Sequence, residues 1–408
     1  MSQDAGRGDA GARPQDWVTP MAPQVETIED FSLVGGPIHR AGRRLAQATG
    51  TTDAVALALA FGVAPWVVLV ILWLLEGANS QLFSLSTIGA HMRLLVVTPL
   101  FFVSERWVDD RSRAFVRLIE RTGVVSEKAL PALASEIARQ RRWKDSWAPD
   151  ALSFIAAALF AFVAPQIHLY GQTAARDAAP AVSAWVMTGA WYWLVCLTLF
   201  RFLIFRWLLR LAQWSWLLWR LARFELHLVP SHPDGAGGLG YLEAVHASFI
   251  PLIVGVSTIQ AASFAEGVSS GQITFEGIFP DLALTLVVDA ALFLGPLCVF
   301  VVKLYECKAK GLSDYALLGS RYVNSFEAKW IGADPSADRD LLGSADLQSL
   351  ADLSNSVNVV RNMRLVPVGN GLLLRFLTAA ILPMAPLLLL KYPAAELAAK
   401  FLQKLVGG

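Results

Sequence analysis

The feature that most constrains this chain is a series of apolar blocks, each about 20 residues long and bounded by polar or charged segments. At about 1.5 Å rise per residue, a helix of that length matches the roughly 30 Å hydrocarbon core of a bilayer. Lipid offers the backbone no hydrogen-bond partners, so a spanning block of this kind must satisfy its own amides as a helix. Seven blocks qualify: 54–75, 82–103, 151–170, 182–204, 246–265, 282–302 and 371–390. Hydrophobic residues make up 55% of the 408 and charged residues only 16%, with a mean hydropathy of +0.48, which excludes a soluble, fibrous or disordered chain. The expected fold class is therefore all-α: a polytopic helical membrane protein of about seven transmembrane helices with a small cytoplasmic helical layer.

Orientation follows from where the basic residues fall, because cytoplasmic loops retain Lys and Arg. The N-terminal segment carries 5, residues 104–149 carry 10, 205–245 carry 4 and 303–369 carry 8, whereas the three alternate loops hold only Arg176. This places the N-terminus in the cytoplasm and, after seven crossings, the C-terminus outside. Lys391, Lys400 and Lys404 sit awkwardly with that end point, and Pro383 with Pro386 interrupts the last block, so a re-entrant hairpin is the alternative for 371–390. The even balance of 34 basic and 33 acidic residues gives no reason to expect nucleic acid as a partner. The partners expected are membrane lipids and further copies of the chain.

Three organisational units follow: a disordered cytoplasmic segment 1–36, a helical transmembrane domain 37–390, and an interfacial tail 391–408. In the tail, Leu397, Phe401 and Leu405 recur at helical spacing. The transmembrane domain has cytoplasmic insertions at 104–149, 205–245 and 303–369. The first reads as a helical hairpin broken near Gly123. In the third, Leu347, Leu350, Leu353, Val357 and Val360 form one face of an amphipathic helix, whose expected partners are the first hairpin and the chain after Arg206. No glycine follows Gly189 and no proline precedes Pro230 in the fourth block, so one helix should run from Val182 to about His227. Seven of the 14 tryptophans lie in it beside Arg201, Arg206 and Arg210. These arginines, at spacings of 5 and 4, suit interfacial anchoring better than a voltage sensor.

Ionisable residues within apolar blocks are the first candidates for function. Arg93 and Asp289 lie at depths that agree within about 5 Å at helical rise, with His91 close to Arg93 in sequence. The three could form a gate or an ion or proton pathway, or Arg93 and Asp289 could form a structural clasp. A second cluster extends from His227 to His246. His227, His232, Asp234 and His246 are of the residue types that bind a divalent metal, the one cofactor the sequence suggests, although their spacing is loose and no His-Glu-x-x-His is present. Gly235, Gly237, Gly238 and Gly240, with Asp234 and His232, form a loop that could hold a phosphate or lipid headgroup in a nest of amides. Gly235, Gly237 and Gly240 satisfy G-x-G-x-x-G, but no strand precedes them, which removes a dinucleotide fold. Cys196, Cys298 and Cys307 are packing residues rather than a disulfide framework.

The segments HPDGAGGLGYL at 232–242 and SADLQSLADLSNSVNVVRNMRLVPV at 344–368, with Ser104-Glu-Arg-Trp-Val-Asp109, resemble an uncharacterised group of bacterial multi-pass inner-membrane proteins. The resemblance implies a bacterial inner (cytoplasmic) membrane location and carries no activity. Three functions stay open on the sequence. The first is a channel or transporter for an ion or small solute, regulated from the cytoplasmic face. The second is a membrane-embedded metal-dependent enzyme acting on a lipid or headgroup. The third is a noncatalytic scaffold or sensor.

Overall fold

The computed structural model describes residues 31–77, 82–163, 186–331 and 345–391. The tail expected at 391–408 and most of the segment expected at 1–36 lie outside the described residues. Within them the chain is helical, and the one pairing of extended backbone is an isolated bridge between Val125 and Leu226.

Helix α1, Gly36–Thr49, is short and polar and leads into α2, Asp53–Leu75. Helix α3, Leu85–Arg121, is followed by α4, Glu127–Asp145, and α5, Ala148–Val163. Helix α6 runs from Val186–Trp191 through Tyr192–Cys196 to Leu197–Ala222. Then come α7, Tyr241–Ser269; α8, Phe275–Phe293; α9, Gly295–Trp330; α10, Ala345–Arg361; and α11, Asn370–Lys391. Helices α2, α3, α7 and α11 are long and apolar enough to cross a membrane. The bent pairs α4–α5 (57°) and α8–α9 (46°) raise the number to six if each is one span. The protein is thus an all-α polytopic membrane protein with four to six such elements among the described residues, where seven blocks are expected from hydropathy. The fourth block falls on α6, helical from Val186, and residues 182–185 lie outside the described part.

The core forms where α7 packs on α3 and α11 and where α5 lies against α6. Phe102, Phe115, Trp214, Phe249 and Phe300 are among its fully buried side chains. Close approach depends on glycine at one crossing in particular. A Cβ on Gly62 of α2 would lie 2.5 Å from the Leu94 carbonyl oxygen of α3, and backbone cannot step aside.

Three helices widen into π turns at Leu59–Val63, Met92–Val97 and Tyr192–Cys196. Two causes are visible. Pro65 and Pro99 follow the first two turns, and a proline removes the hydrogen bond to the carbonyl four residues back and crowds it, which a wider turn relieves. Threonine hydroxyls then take up freed carbonyls: Thr98 Oγ1 donates to Arg93 O (2.8 Å) and Thr198 Oγ1 to Trp193 O (3.4 Å).

Several local expectations change. Helix α6 stops at Ala222, short of His227, because Leu226 pairs with Val125 and the His227 amide donates to Val124 O (2.8 Å). Helix α10 packs on the 30-residue α-helical part of α9, Val301–Trp330, instead of on the first hairpin. Tyr322 Oη on α9 donates to Asp346 O of α10 (2.9 Å) and Trp330 Nε1 to its carboxylate (2.9 Å). The last block is one element that passes through Pro383 and Pro386 by tightening to a 3-10 turn at Leu382–Leu387, and it shows no re-entrant hairpin.

Candidate functional site

Arg93 occupies the π turn of α3 and is buried. Its Nη1 donates to the Tyr192 hydroxyl at 2.5 Å, and Tyr192 opens the π turn of α6. Glu266 of α7, itself buried, is the acid near it, though the two form no ion pair; its Oε1 accepts from the Gly89 amide at 2.7 Å. A Cβ on Gly89 would sit 2.5 Å from Glu266 Oε1 and 3.1 Å from Arg93 Nη1, so both charged groups lie over one bare stretch of backbone. Arg93, Glu266 and Tyr192 thus form a polar centre joining α3, α6 and α7 inside the apolar bundle.

The two other groups expected with Arg93 sit elsewhere. Asp289 of α8 is buried, forms no ion pair with Arg93, and leaves Oδ2 without a hydrogen-bond partner. Matching depth did not produce contact because depth fixes position along a helix and not the direction its side chain faces. His91 has both ring nitrogens occupied: Trp66 Nε1 donates to Nδ1 (2.9 Å), and Nε2 donates to Leu82 O (2.5 Å). Its ring stacks on Phe83 and lies beside Trp73. That is a fully engaged imidazole on the side of α3 that faces α2.

A cavity of about 440 Å³ opens from this centre between α6, α7 and α8. Its walls are mainly aliphatic and aromatic, with Trp193, Leu197, Ile204 and Leu211 on α6 and Leu252 and Ile259 on α7. Arg93 and Arg201 supply guanidinium groups, and Gln260 with Asp281 supplies acceptors. Arg201 is 7% exposed, forms no ion pair among the described residues, and leaves Nε without a hydrogen-bond partner.

Farther along α6, Arg206 and Arg210 are buried in ion pairs, contrary to the interfacial anchoring expected of them. Arg206 Nη1 donates to Glu105 Oε1 (2.9 Å) and its Nε to Asp150 Oδ1 (3.2 Å), while Arg210 Nη1 lies 2.5 Å from Glu105 Oε1. Glu105 on α3 and Asp150 on α5 face the same stretch of α6, and burial of all these charges is tolerable because each has an opposite partner.

The loop from His227 to His246 closes on itself. Asp234 accepts from the amides of Ala236 (2.8 Å), Gly238 (3.1 Å) and Gly240 (2.7 Å), and His232 Nδ1 lies 2.8 Å from its Oδ1. Gly235, Gly237 and Gly238 all have positive φ, which brings these amides round the carboxylate. The nest suited to an external anion therefore holds the chain's own Asp234. Burial opposes the charge, but the surrounding amides and His232 outweigh it and hold the carboxyl below its ordinary range. Arg364 fastens the loop to the segment after α10. Its Nη2 donates to Asp234 O (2.7 Å), its Nη1 to Glu243 Oε2 (2.9 Å), and its amide to Gly235 O (2.8 Å). The glycine-rich loop and the chain just after α10 thus meet here.

His246 faces the core. Trp214 Nε1 donates to its Nε2 (3.3 Å), and its Nδ1 donates to Phe293 O (2.6 Å). Among the described residues, no group of three His, Cys, Asp or Glu is arranged to hold a metal ion, and His227, His232 and Asp234 are not joined by His246. Sequence reasoning missed Tyr192, Glu266, Glu105 and Arg364. The available signal for Glu266 and Glu105 was an acid at the edge of an apolar block. Tyr192 carried none.

No protein-family model, curated protein or solved structure matches this chain.

Proposed function

We propose that this protein is a transport protein, channel or carrier, for a small anionic solute, sited in a bacterial inner membrane with its N-terminus in the cytoplasm. The observation that carries the reading is Arg93 at the wall of an intramembrane cavity, held by Tyr192 and set against Glu266. A buried cation in lipid is costly, and a membrane protein that retains one at the edge of a cavity has a use for its field. Two guanidiniums on the wall favour a negative solute. The π turns support this reading, since such turns often occur at functional sites in helices.

The Glu105, Arg206, Arg210 and Asp150 network supports regulation from the cytoplasmic side. Arg206 and Arg210 follow Arg201 on α6 by about 7.5 and 13.5 Å at helical rise and pair toward α3 and α5, while Trp207, Leu208 and Leu211 line the cavity on the same stretch of helix. Separating α3 from α6 would expose these charges to the solute path.

Uptake into proteoliposomes of zwitterionic lipid tests the proposal, with labelled chloride, methanesulfonate and decanesulfonate as solutes. The sulfonates stay ionised at every accessible pH. Saturable uptake of at least one of these anions, above protein-free vesicles, is expected. Rates equal to those of protein-free vesicles for all three would overturn it.

A further inference from the structure

We propose that the cavity binds a single-chain amphiphile with one anionic group, that Arg201 takes that group, and that the chain enters sideways from the bilayer. This rests on reading the cavity as the solute site and names the class of solute.

The first support is the shape of the wall. Trp193, Leu197, Ile204, Leu208 and Leu211 repeat along one side of α6. From Trp193 to Leu211 the helix rises about 27 Å at about 1.5 Å per residue, so the wall is a long apolar trough and not a compact polar pocket. Its volume of about 440 Å³ falls within the roughly 300–1,000 Å³ typical of sites for single small molecules. The trough has an open flank, because Leu208 and Val256 line it while remaining 39% and 37% exposed. In a membrane, that flank faces acyl chains.

The second support is Arg201. Of the arginines on α6, Arg206 and Arg210 are ion-paired, whereas Arg201 has the Phe160 ring 5.9 Å away and no acidic partner among the described residues. A guanidinium presents five donors in a fixed fork and stays charged, so burial without an anion leaves it unsatisfied. A carboxylate, sulfonate or phosphate head in the trough would complete it. On the α7–α8 side, Gln260 Oε1 and Asp281 Oδ2 also lack partners, which suits a head or linker that carries a hydroxyl donor as well.

The test uses the full chain in phosphatidylcholine nanodiscs with 9,10-dibromostearate, whose bromines quench nearby tryptophan; Trp193 and Trp207 line the cavity. Quenching by the ionised acid should saturate. In Arg201→Gln the half-saturating mole fraction should rise at least about tenfold, as expected for losing a hydrogen bond to a charged group. The thermal midpoint of that variant should not fall, because the removed cation had no partner. Arg201→Lys keeps the charge and should retain most of the binding. Equal quenching of wild type and Arg201→Gln by the acid, or equal affinity of wild type for the uncharged dibromostearyl alcohol, would overturn the proposal. If Arg201→Gln fails to fold, loss of binding in a folded Arg201→Lys would also count against it. Displacement of the acid by methanesulfonate at matched occupancy would overturn the chain requirement while leaving the transport reading intact.

Discussion

Arg93 is the residue on which the polar centre turns. Its guanidinium is tied to Tyr192 and balanced by Glu266, so removing Glu266 alone leaves a buried cation uncompensated. Glu266→Gln should therefore destabilise the fold by about 3 kcal/mol, and Arg93→Gln added to it should restore much of that loss. A double-mutant cycle by denaturant or thermal unfolding in detergent should give clear coupling for Arg93 with Glu266 and close to none for Arg93 with Asp289. Asp234 gives a second test, with its sign fixed by geometry. Its carboxyl titrates lower in the folded loop than in the unfolded chain, so its contribution is present in full above the unfolded value and is lost as pH falls through the folded one. Wild type should lose stability relative to Asp234→Asn as pH drops below about 4, and the gap should be constant from pH 6 to 8. A gap that closes near neutrality would contradict the amide cradle.

At the scale of elements, the apolar helices α2, α3, α7 and α11 and the hairpin break at Gly123 are legible because hydropathy and glycine report directly on bilayer length and turn geometry. Direction around a helix is less legible. The sequence placed Arg93 and Asp289 at one depth, but depth leaves open which way each side chain faces, and no apolar pattern announces the π turn at Met92–Val97 that holds Arg93. Pro99, two residues past the end of that turn, was the signal that could have been used. Helix α9 does not stand out by hydropathy because its chain beyond Val302 is polar, and only Leu304 and Gly311 of that stretch are fully covered. The crossing of α2 and α3 supplies an element-scale prediction. Gly62→Ala forces a Cβ toward the Leu94 carbonyl and should cost about 1–3 kcal/mol, as overpacking does, whereas Ala at exposed Gly371, where a Cβ meets open space, should change stability by less. Equal thermal midpoints for Gly62→Ala and wild type would show that the two helices can separate freely.

For the whole molecule, charge asymmetry predicts orientation. In a background lacking Cys196, Cys298 and Cys307, cysteines at Asn79, Gly171 and Ser270 should react with an impermeant thiol reagent applied to intact spheroplasts. One at Thr122 should react only after lysis. Thr122 is exposed whereas its neighbour Ser126 is buried, so the former is the informative position. Labelling at Thr122 in intact cells would invert the topology. The bundle combines an apolar trough, a buried Arg201 with no acidic partner among the described residues, and a charge centre held by three helices. Arg93, Tyr192 and Glu266 could clasp helices without touching a solute. The measurement that separates the two roles is anion uptake by the Arg93→Gln, Glu266→Gln double variant, reconstituted at the same amount as wild type. With both charges removed together the fold should hold and uptake should fall at least about tenfold, since the field on the cavity wall is gone. Wild-type uptake by a stable double variant would contradict the account and leave the centre a structural clasp.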